Sequence, residues 1–106
     1  MASLEDFKKL ELKVAEIESV APHPQADRLY VLGLKVGELR KTIVAGIRKH
    51  YGESELIGKK IVIVNNLEPA VIRGVESQGM LLAASNEESL TLVTPERPIA
   101  DGAQVR

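Results

Sequence analysis

The sequence predicts an all-β protein, a small β-barrel with one short helix. Three observations lead to this prediction: apolar residues alternate with polar ones over short stretches, the alternation breaks inside two of them, and a single short helical segment separates predicted strands. Strands that kink midway are typical of a small barrel rather than a flat sheet. At 106 residues the chain is long enough for one modest hydrophobic core, so we expect a single domain over residues 1–106.

The first predicted elements are a short N-terminal arm and a bent strand. Residues 1–9 predict a helical turn or arm, with Phe7 and Leu10 as its anchors. Apolar residues then alternate with charged ones from Leu10 to Val14, as they do in a half-buried strand. The alternation slips after that point, and a β-bulge near Ala15–Glu16 would explain the slip and bend the strand.

The middle of the chain predicts two more strands and the helix. Residues 28–37 read as a second strand whose apolar residues change parity around Gly33, and a glycine at such a point is typical of a bulge. A third strand covers about residues 41–46. The helix follows over residues 53–57 and ends at Gly58, the residue type that a C-terminal cap prefers.

Three shorter strands are predicted in the second half of the chain, at residues 59–67, 80–84 and 89–93. Three strands, a short helix and two more strands are the order of an OB-fold, a small partly open barrel. Prolines follow the last of these strands, so at most one short strand is expected near the end of the chain. Residues 89–106 would then be a C-terminal strand extension of the barrel.

Composition excludes several classes of protein. The chain has no cysteine, which excludes a disulfide scaffold, a thiol nucleophile and the cysteine-based zinc sites. Its first residues are acidic and polar, unlike a secretory signal, and no apolar run approaches the length that spans a bilayer. We therefore expect a cytoplasmic protein that does not act at a membrane.

Charge is unevenly distributed along the chain, although the net charge is only −1. Residues 28–60 carry eight basic and three acidic side chains, whereas the segments before and after each carry three basic and six acidic ones. One face could therefore be basic, and we expect Arg28, Arg40 and Lys41 on it, each in an individually replaceable phosphate-contact role. A solvated surface of mixed charge explains the same counts.

Two motifs come close to catalytic signatures and fail. Residues 52–60 resemble a phosphate-binding P-loop, but they have one residue too many between the glycines and a Lys where Ser or Thr must reach magnesium. Residues 74–79 lack the glycine that a nucleophile elbow needs two positions before its Ser. His23 and His50 have no partner at ligand spacing, so we predict no metal, no cofactor and no enzymatic activity, and we interpret His23 as a turn residue.

Residues 66–80 are the most informative segment, and their pattern predicts a loop that joins two buried strands. The segment carries an Arg, a Ser, an Asn and two Gly. Arginine can hold phosphate through its planar fork of donors, Ser and Asn add neutral donors, and glycine lets a partner's backbone come close. We interpret the segment as a contact loop for a polyanion, with no catalytic group in it.

Four motifs carry a family resemblance: Asp6–Leu10, His23–Leu29, Ile43–Ile47 and Asn66–Met80. In this order and spacing they resemble the free-standing tRNA-binding domain family. The same domain is appended to the C-terminus of many methionyl-tRNA synthetases and to synthetase-associated cofactors. The resemblance covers essentially the whole chain and implies an OB-fold with a C-terminal extension. Because the chain begins with Met1 and has the full length of the family's domain, we expect it to be complete.

The resemblance implies four tRNA-contact residues, which match the family's contact surface position by position: Asn66, Arg73, Ser77 and Met80. Each also has a simpler interpretation. Arg73 could pair with Glu76 on the same loop, although exposed pairs contribute only about 0–1 kcal/mol. Met80 could be the first core residue of its strand. Ser77 could only shape the turn, and Asn66 could only cap it.

Two departures from the family's pattern remove positive charge from this loop. Many members carry Lys at the position of Glu68, and often at that of Val71. Affinity could therefore be lower here, or the footprint shifted toward residues 28–60. Aromatic residues on which single strands stack are also scarce, with only Tyr30 and Tyr51 as candidates. The sequence thus favours recognition of the shape of a folded RNA.

We therefore predict a non-catalytic module that recognises the folded shape and backbone of tRNA. It would be free-standing or act in trans with an aminoacyl-tRNA synthetase, with methionyl-tRNA synthetase as the implied partner. Two alternatives stay open: a dimeric OB-fold peptide-binding chaperone, whose family lacks the Arg-Gly and Ser-x-Gly-Met block, and a protein–protein adaptor that has lost RNA binding. The family also implies a homodimer, with contacts at Phe7, Leu10, Ile99 and Val105.

Overall fold

The computed structural model describes the whole chain, residues 1–106. It confirms the predicted fold class, an all-β protein whose main sheet curls into a small OB-like barrel. The elements are α1 (Leu4–Lys8), β1 (Leu12–Pro22), β2 (Tyr30–Val36), β3 (Leu39–Ala45), α2 (Glu53–Leu56), β4 (Lys60–Val64), β5 (Ala70–Ile72), β6 (Val75–Ser77), β7 (Met80–Leu81), β8 (Ala83–Ser85), β9 (Leu90–Leu92) and β10 (Gln104–Val105).

The main sheet is built around β1, which has different partners along its length. The strand order is β3-β2-β1-β4-β7, every neighbouring pair is antiparallel, and β10 pairs with the start of β1. The first half of β1, up to Glu16, pairs with β4, and the second half pairs with β2. Because its two halves belong to different pairs, β1 connects both sides of the barrel.

Both faces of β1 are buried, which explains why its apolar residues do not alternate cleanly. Leu12 belongs to a small cluster with Val62 and Val64. Ala15 and Ile17, which have the opposite parity, lie in the main core of the barrel. A strand covered on both faces has no polar side to alternate with. The break in alternation therefore marks a second buried face.

The β-bulge of β1 lies at Glu18, so the predicted position near Ala15–Glu16 is wrong. The register of β1 against β2 shifts between Ile17 and Ser19. One extra residue reverses the parity of the strand, which brings both Ile17 and Val20 to the main core.

No bulge interrupts β2, so the prediction of one at Gly33 is also wrong. From Tyr30 to Val36 every second residue is buried, and the register with β3 is unbroken. Gly33 instead lies opposite the bulge of β1, where an added Cβ would collide with the hydroxyl of Ser19. The glycine is required by the close approach of its neighbouring strand.

The two short helices begin and end at the expected kinds of residue. Ser3 caps α1: its hydroxyl accepts from the Asp6 N–H at 3.1 Å, and the Asp6 carboxylate accepts from the Ser3 N–H at 3.0 Å. The predicted N-terminal arm is thus a second short helix. After α2, Gly58 has a φ of +83°, which confirms its role in ending the helix. Leu56 of α2 is fully buried in the main core.

Residues 66–80 are more ordered than the predicted connecting loop. They contain an antiparallel hairpin of β5 and β6, joined by a two-residue turn of Arg73 and Gly74. Both turn residues have positive φ, 51° and 89°, which is the requirement of a type I′ hairpin turn. The prediction of an irregular loop is therefore wrong, and Arg73 is held at the tip of a hairpin.

The strand predicted at residues 80–84 is divided between two sheets and is not buried. Its first part, β7, pairs with β4, whereas β8 pairs with β9. Met80 is 50% exposed, and Ala83 and Ala84 are exposed. Side chains this accessible contribute little to the core, so the interpretation of this segment as a buried strand is wrong.

The C-terminal extension folds back onto the barrel and includes the short final strand, β10. Leu92 of β9 lies in the main core, and β10 pairs with the start of β1. Asp101 fastens the extension to the β2–β3 turn, since its carboxylate accepts from the Gly37 N–H at 2.6 Å and from the Lys35 ammonium at 3.0 Å. Neither helix has the length and apolar character needed to cross a membrane.

Candidate nucleic-acid interface

An open depression lies between the β1–β2 loop and the tip of the β5–β6 hairpin. It has a volume of about 450 Å³ and is lined by residues 25–29 of the loop and by Arg73 of the hairpin. Two exposed arginines, Arg28 and Arg73, thus come from distant parts of the sequence to one concave surface. We call this depression the arginine cleft.

Arg73 has a backbone conformation that arginine rarely adopts. Its φ of +51° lies in the left-handed region, which favours Gly, Asn and Asp. Its guanidinium donates to the backbone carbonyl of Gln25 at 3.1 Å, and it forms no ion pair with Glu76. A strained side chain at an exposed turn, where glycine would be more stable, indicates selection for something other than stability.

His23 connects the two walls of the arginine cleft. The ring is buried, its Nδ1 accepts from the Gln25 N–H at 3.0 Å, and its Nε2 lies 3.0 Å from the carbonyl oxygen of Ile72. Because Nδ1 accepts, the proton of the neutral ring is on Nε2, which donates to Ile72. His23 is therefore the turn residue that was predicted. Its second bond had no signal in the sequence, since the acceptor is a backbone carbonyl of a distant segment.

Met80 lies on the surface, at an apolar slot beside the same hairpin. The side chain is half exposed, so its interpretation as a core residue does not hold. Glu68 and Val71 are both exposed on this side of the hairpin segment. The slot has a volume of about 180 Å³, and its apolar lining residues are Val44, Leu67, Ala70, Ile72 and Met80.

Neither tyrosine offers a free ring for stacking against a base. Tyr30 is buried, and its hydroxyl donates to the Tyr51 carbonyl at 2.7 Å. The hydroxyl of Tyr51 accepts from the Leu92 N–H at 3.1 Å, and its ring packs against the main core. The protein therefore lacks the exposed aromatic platform on which single-strand binders stack bases.

Ser77 is buried and its hydroxyl is fully engaged within the chain. The oxygen accepts from the Val44 N–H at 2.9 Å and donates to the Gly79 carbonyl at 3.1 Å. These bonds hold β6 on β3 and shape the turn into β7. The structure does not bring this side chain to the arginine cleft.

Asn66 also makes its hydrogen bonds within the chain. Its Oδ1 accepts from the Glu11 N–H at 2.8 Å, and its Nδ2 donates to the Lys9 carbonyl at 2.8 Å. The side chain thereby ties the N-terminal arm to the end of β4. It lies among different partners from those of Arg73, so the four predicted contact residues do not form one cluster.

Arg40 and Lys41, predicted on the basic face, are bound to groups of their own chain. The Arg40 Nε lies 2.7 Å from the Glu18 carboxylate. The Lys41 ammonium donates to the carbonyls of Asn65 at 2.6 Å and Gln78 at 3.4 Å. The structure places neither at the arginine cleft, so of the three predicted wall residues only Arg28 lines it.

Asp101 is the ionisable group whose environment changes its pKa. Partial burial raises the pKa of the carboxyl, but the hydrogen bonds from Lys35 and Gly37 and the nearby positive charges of Lys35 and Lys60 lower it. The net effect is a pKa below the usual value of 3.8. Lys35 is thereby committed to the C-terminal extension and is a third engaged cation of the middle segment.

The four predicted dimer residues differ in exposure. Phe7, Leu10 and Ile99 are exposed apolar side chains. Val105 is half-buried and packs against the small cluster around Leu12 in its own chain. Exposed apolar side chains on an N-terminal arm and on a C-terminal extension are features that a second protein surface could cover.

Metal ligands do not gather anywhere in the molecule: no three His, Asp or Glu side chains are placed to hold an ion. The two histidines serve different regions, and the carboxylate with the altered pKa is used in an ion pair. The open arginine cleft therefore offers charge and shape, which suit binding.

Comparisons with known proteins lead to one family. A model of the family described as a putative tRNA binding domain matches residues 12–104. The methionine–tRNA ligase of Pyrococcus horikoshii is 49% identical over 102 residues, which are 96% of this chain and 14% of that enzyme. The crystal structure of a MetRS-related protein from the same organism gives a TM-score of 0.93 at 33% identity, covering 100% of this chain and 98% of that one. The crystal structure of the chaperone CsaA from Bacillus anthracis gives 0.90 at 30% identity, covering 100% and 99%.

Proposed function

We propose that this chain, which belongs to the tRNA-binding domain family, is a non-catalytic module that grips the backbone of folded tRNA at the arginine cleft. The homologous ligase segment is a small part of a larger enzyme, since this chain spans 14% of the length of that ligase. The ligase's own activity is therefore not assigned to this chain. Our proposal concerns the binding step alone, with the two loops around the cleft as its contact elements.

The observation that carries this proposal is the pairing of Arg28 with a strained Arg73 in one open depression. A planar guanidinium can donate two parallel hydrogen bonds to one phosphate, so two neighbouring arginines can hold consecutive phosphates of a strand. The cleft lies between the β1–β2 loop and the segment that joins β4 to β7. In OB-folds the loops at these two positions take part in binding oligonucleotides.

Folded RNA suits this surface better than a single strand does. Both tyrosines are used in the packing of the protein, so stacking cannot supply the affinity for exposed bases. Met80 offers an exposed, flexible thioether beside the hairpin, able to contact a ribose or a base edge. We assign contact roles to Arg73, Arg28 and Met80, and supporting roles to Ser77 and Asn66, whose side chains hold the hairpin and the arm.

The module would act in trans with a methionyl-tRNA synthetase and raise the local concentration of tRNA around it. We further propose that two copies associate through the exposed Phe7, Leu10 and Ile99, with Val105 supporting the strand beneath them. A two-fold interface would present two arginine clefts to one RNA. Sedimentation velocity tests this association: Phe7→Ser should shift the protein from twice the monomer mass to the monomer mass, and a monomeric wild type would contradict it.

The function is tested by competition binding at moderate salt. Labelled bulk tRNA is bound to the chain and challenged with unlabelled tRNA, with single-stranded RNA of equal length, and with an unstructured apolar peptide. We expect tRNA to compete at least about tenfold better than the single strand, because phosphates in a folded RNA have fixed spacing. Absence of tRNA binding even at low salt would contradict the proposal.

The peptide arm of the same experiment addresses the second candidate, a peptide-binding chaperone. This candidate is favoured by the apolar slot beside Met80 and by the likeness to the chaperone CsaA. If the peptide displaces tRNA, the two ligands share a surface. If the peptide binds and tRNA does not, the chaperone function replaces the proposed one.

A further inference from the structure

We propose that His23 is a positioning residue that holds Arg28 and Arg73 as one rigid two-pronged phosphate clamp. This inference rests on the proposed function, because the clamp has a purpose only if the arginine cleft binds a polyanion. It goes further in saying how the two arginines come to act together. Neither arginine touches His23, so any effect of the histidine on binding must act through the geometry of the two loops.

Two contacts join the β1–β2 loop to the hairpin, and both arrive at its turn. The Nε2 of His23 donates to the Ile72 carbonyl at 3.0 Å, and the Arg73 guanidinium donates to the Gln25 carbonyl at 3.1 Å. The second contact belongs to a flexible, exposed side chain that must also bind ligand. The first is made by a ring that is 97% buried, so it is the contact that can fix the hairpin.

The same imidazole shapes the loop that carries Arg28. Its Nδ1 accepts from the Gln25 N–H at 3.0 Å, and the loop is closed by a bond from the His23 N–H to the Leu29 carbonyl at 3.0 Å. One ring therefore uses one nitrogen for each wall of the cleft. A displacement of the hairpin is passed to the loop through a single rigid side chain.

Two substitutions separate the two nitrogens of the ring. In His23→Asn the amide oxygen is placed like Nδ1 and can accept from the Gln25 N–H, but the side chain is too short to reach the hairpin. In His23→Gln the longer amide can donate to the Ile72 carbonyl in place of Nε2. The first variant keeps the loop and loses the link, whereas the second keeps the link.

The test is a double-mutant cycle of Arg28→Ala and Arg73→Ala, measured as tRNA affinity in three backgrounds: wild type, His23→Asn and His23→Gln. In the wild type we expect strong coupling, with Arg28→Ala lowering affinity about tenfold when Arg73 is present and only about twofold when it is absent. In His23→Asn the effect of Arg28→Ala should be the same in both cases. His23→Gln should restore most of the coupling.

A merely structural histidine would give a different result. Its loss would lower the free energy of unfolding in both variants and leave the coupling of the arginines unchanged in the folded protein, which would overturn the inference. If His23→Asn does not fold, His23→Gln decides the matter, because a folded His23→Gln without coupling also overturns it. tRNA binding with independent arginines in the wild type refutes the clamp alone, whereas a wild type that binds no tRNA refutes the proposed function with it.

Discussion

The arginine cleft and the outer face of the β2–β3 hairpin both carry positive charge, but they hold it in different ways. At the cleft, Arg28 and Arg73 line an open depression and neither is paired with a carboxylate. On the hairpin, Lys35, Arg40 and Lys41 are bound respectively to a carboxylate, a carboxylate and two backbone carbonyls. The first region has charge available for a ligand, and the second uses its charge to hold the fold together.

This difference shows why a count of basic residues does not locate a binding face. The middle segment of the chain, residues 28–60, has an excess of basic residues, yet three of them are engaged as close as 2.6–3.0 Å by groups of the same chain. Such a cation must give up an existing partner before it can bind phosphate. The arginine that is free for binding, Arg73, comes from a segment whose overall charge is negative.

The largest effect is expected from removing both cleft arginines. Arg28→Ala combined with Arg73→Ala should lower tRNA affinity by about 100-fold, because two charge-assisted contacts are lost and each tenfold is about 1.4 kcal/mol. Arg40→Ala combined with Arg97→Ala removes the same charge from paired, exposed side chains elsewhere and should change affinity by no more than about threefold. Equal losses in the two double variants, measured by anisotropy titration, would erase the distinction between the regions.

Lys41→Met tests the other region and should act on stability. The substitution leaves two backbone carbonyls without the ammonium that they accept from, so the free energy of unfolding should fall by about 1–2 kcal/mol. tRNA affinity of the folded variant should change by less than about threefold. Urea unfolding together with binding checks both parts, and a large loss of affinity at full stability would show that Lys41 contacts the RNA.

Asp101 makes stability on the hairpin side depend on pH. Since the folded pKa of Asp101 is depressed, its contribution is fully present above the usual value of 3.8 and is lost as pH falls through the lower, folded pKa. Asp101→Asn should lower the free energy of unfolding by about 1 kcal/mol at neutral pH. The difference between wild type and variant should vanish at the acid end of a urea-unfolding series, and a constant difference would exclude the ion pair as its cause.

The smallest effect is expected from Arg73→Gly, and its sign separates function from stability. Glycine accepts the φ of +51° without strain, so the variant should be more stable by about 0.5–1 kcal/mol. It should nevertheless bind tRNA more weakly. Thermal unfolding and titration of the same sample make the comparison, and a variant that is both less stable and fully active would show that Arg73 is there for the fold.

The sequence predicted what depends on short-range patterns. The strands β2 and β3, the helix α2 with Gly58 after it, and the N-terminal arm follow from apolar spacing and capping residues. The position of the β1 bulge was missed because a strand buried on both faces looks like a shift in phase. Gly33 was misread because the close approach it permits is to Ser19 on another strand.

The site was predictable in part for the same reason. Arg73 and Arg28 could be named from residue type, but their common cleft depends on a bond between His23 and a carbonyl far along the chain. The hairpin turn at Arg73 and Gly74 was hidden because its first position has an arginine where Asn or Gly would signal it. Engagement of Ser77, Asn66 and Lys41 is also a long-range property, since their partners lie on other elements.

The most direct test of the central claim is the salt dependence of tRNA binding in the wild type and the two double variants. Each lost phosphate contact should flatten the plot of log affinity against log salt by about one unit. We predict that Arg28→Ala with Arg73→Ala flattens the slope by about two units, while Arg40→Ala with Arg97→Ala leaves it unchanged. Equal slopes in all three proteins, or flattening only in the second variant, would contradict the placement of the tRNA backbone on the arginine cleft.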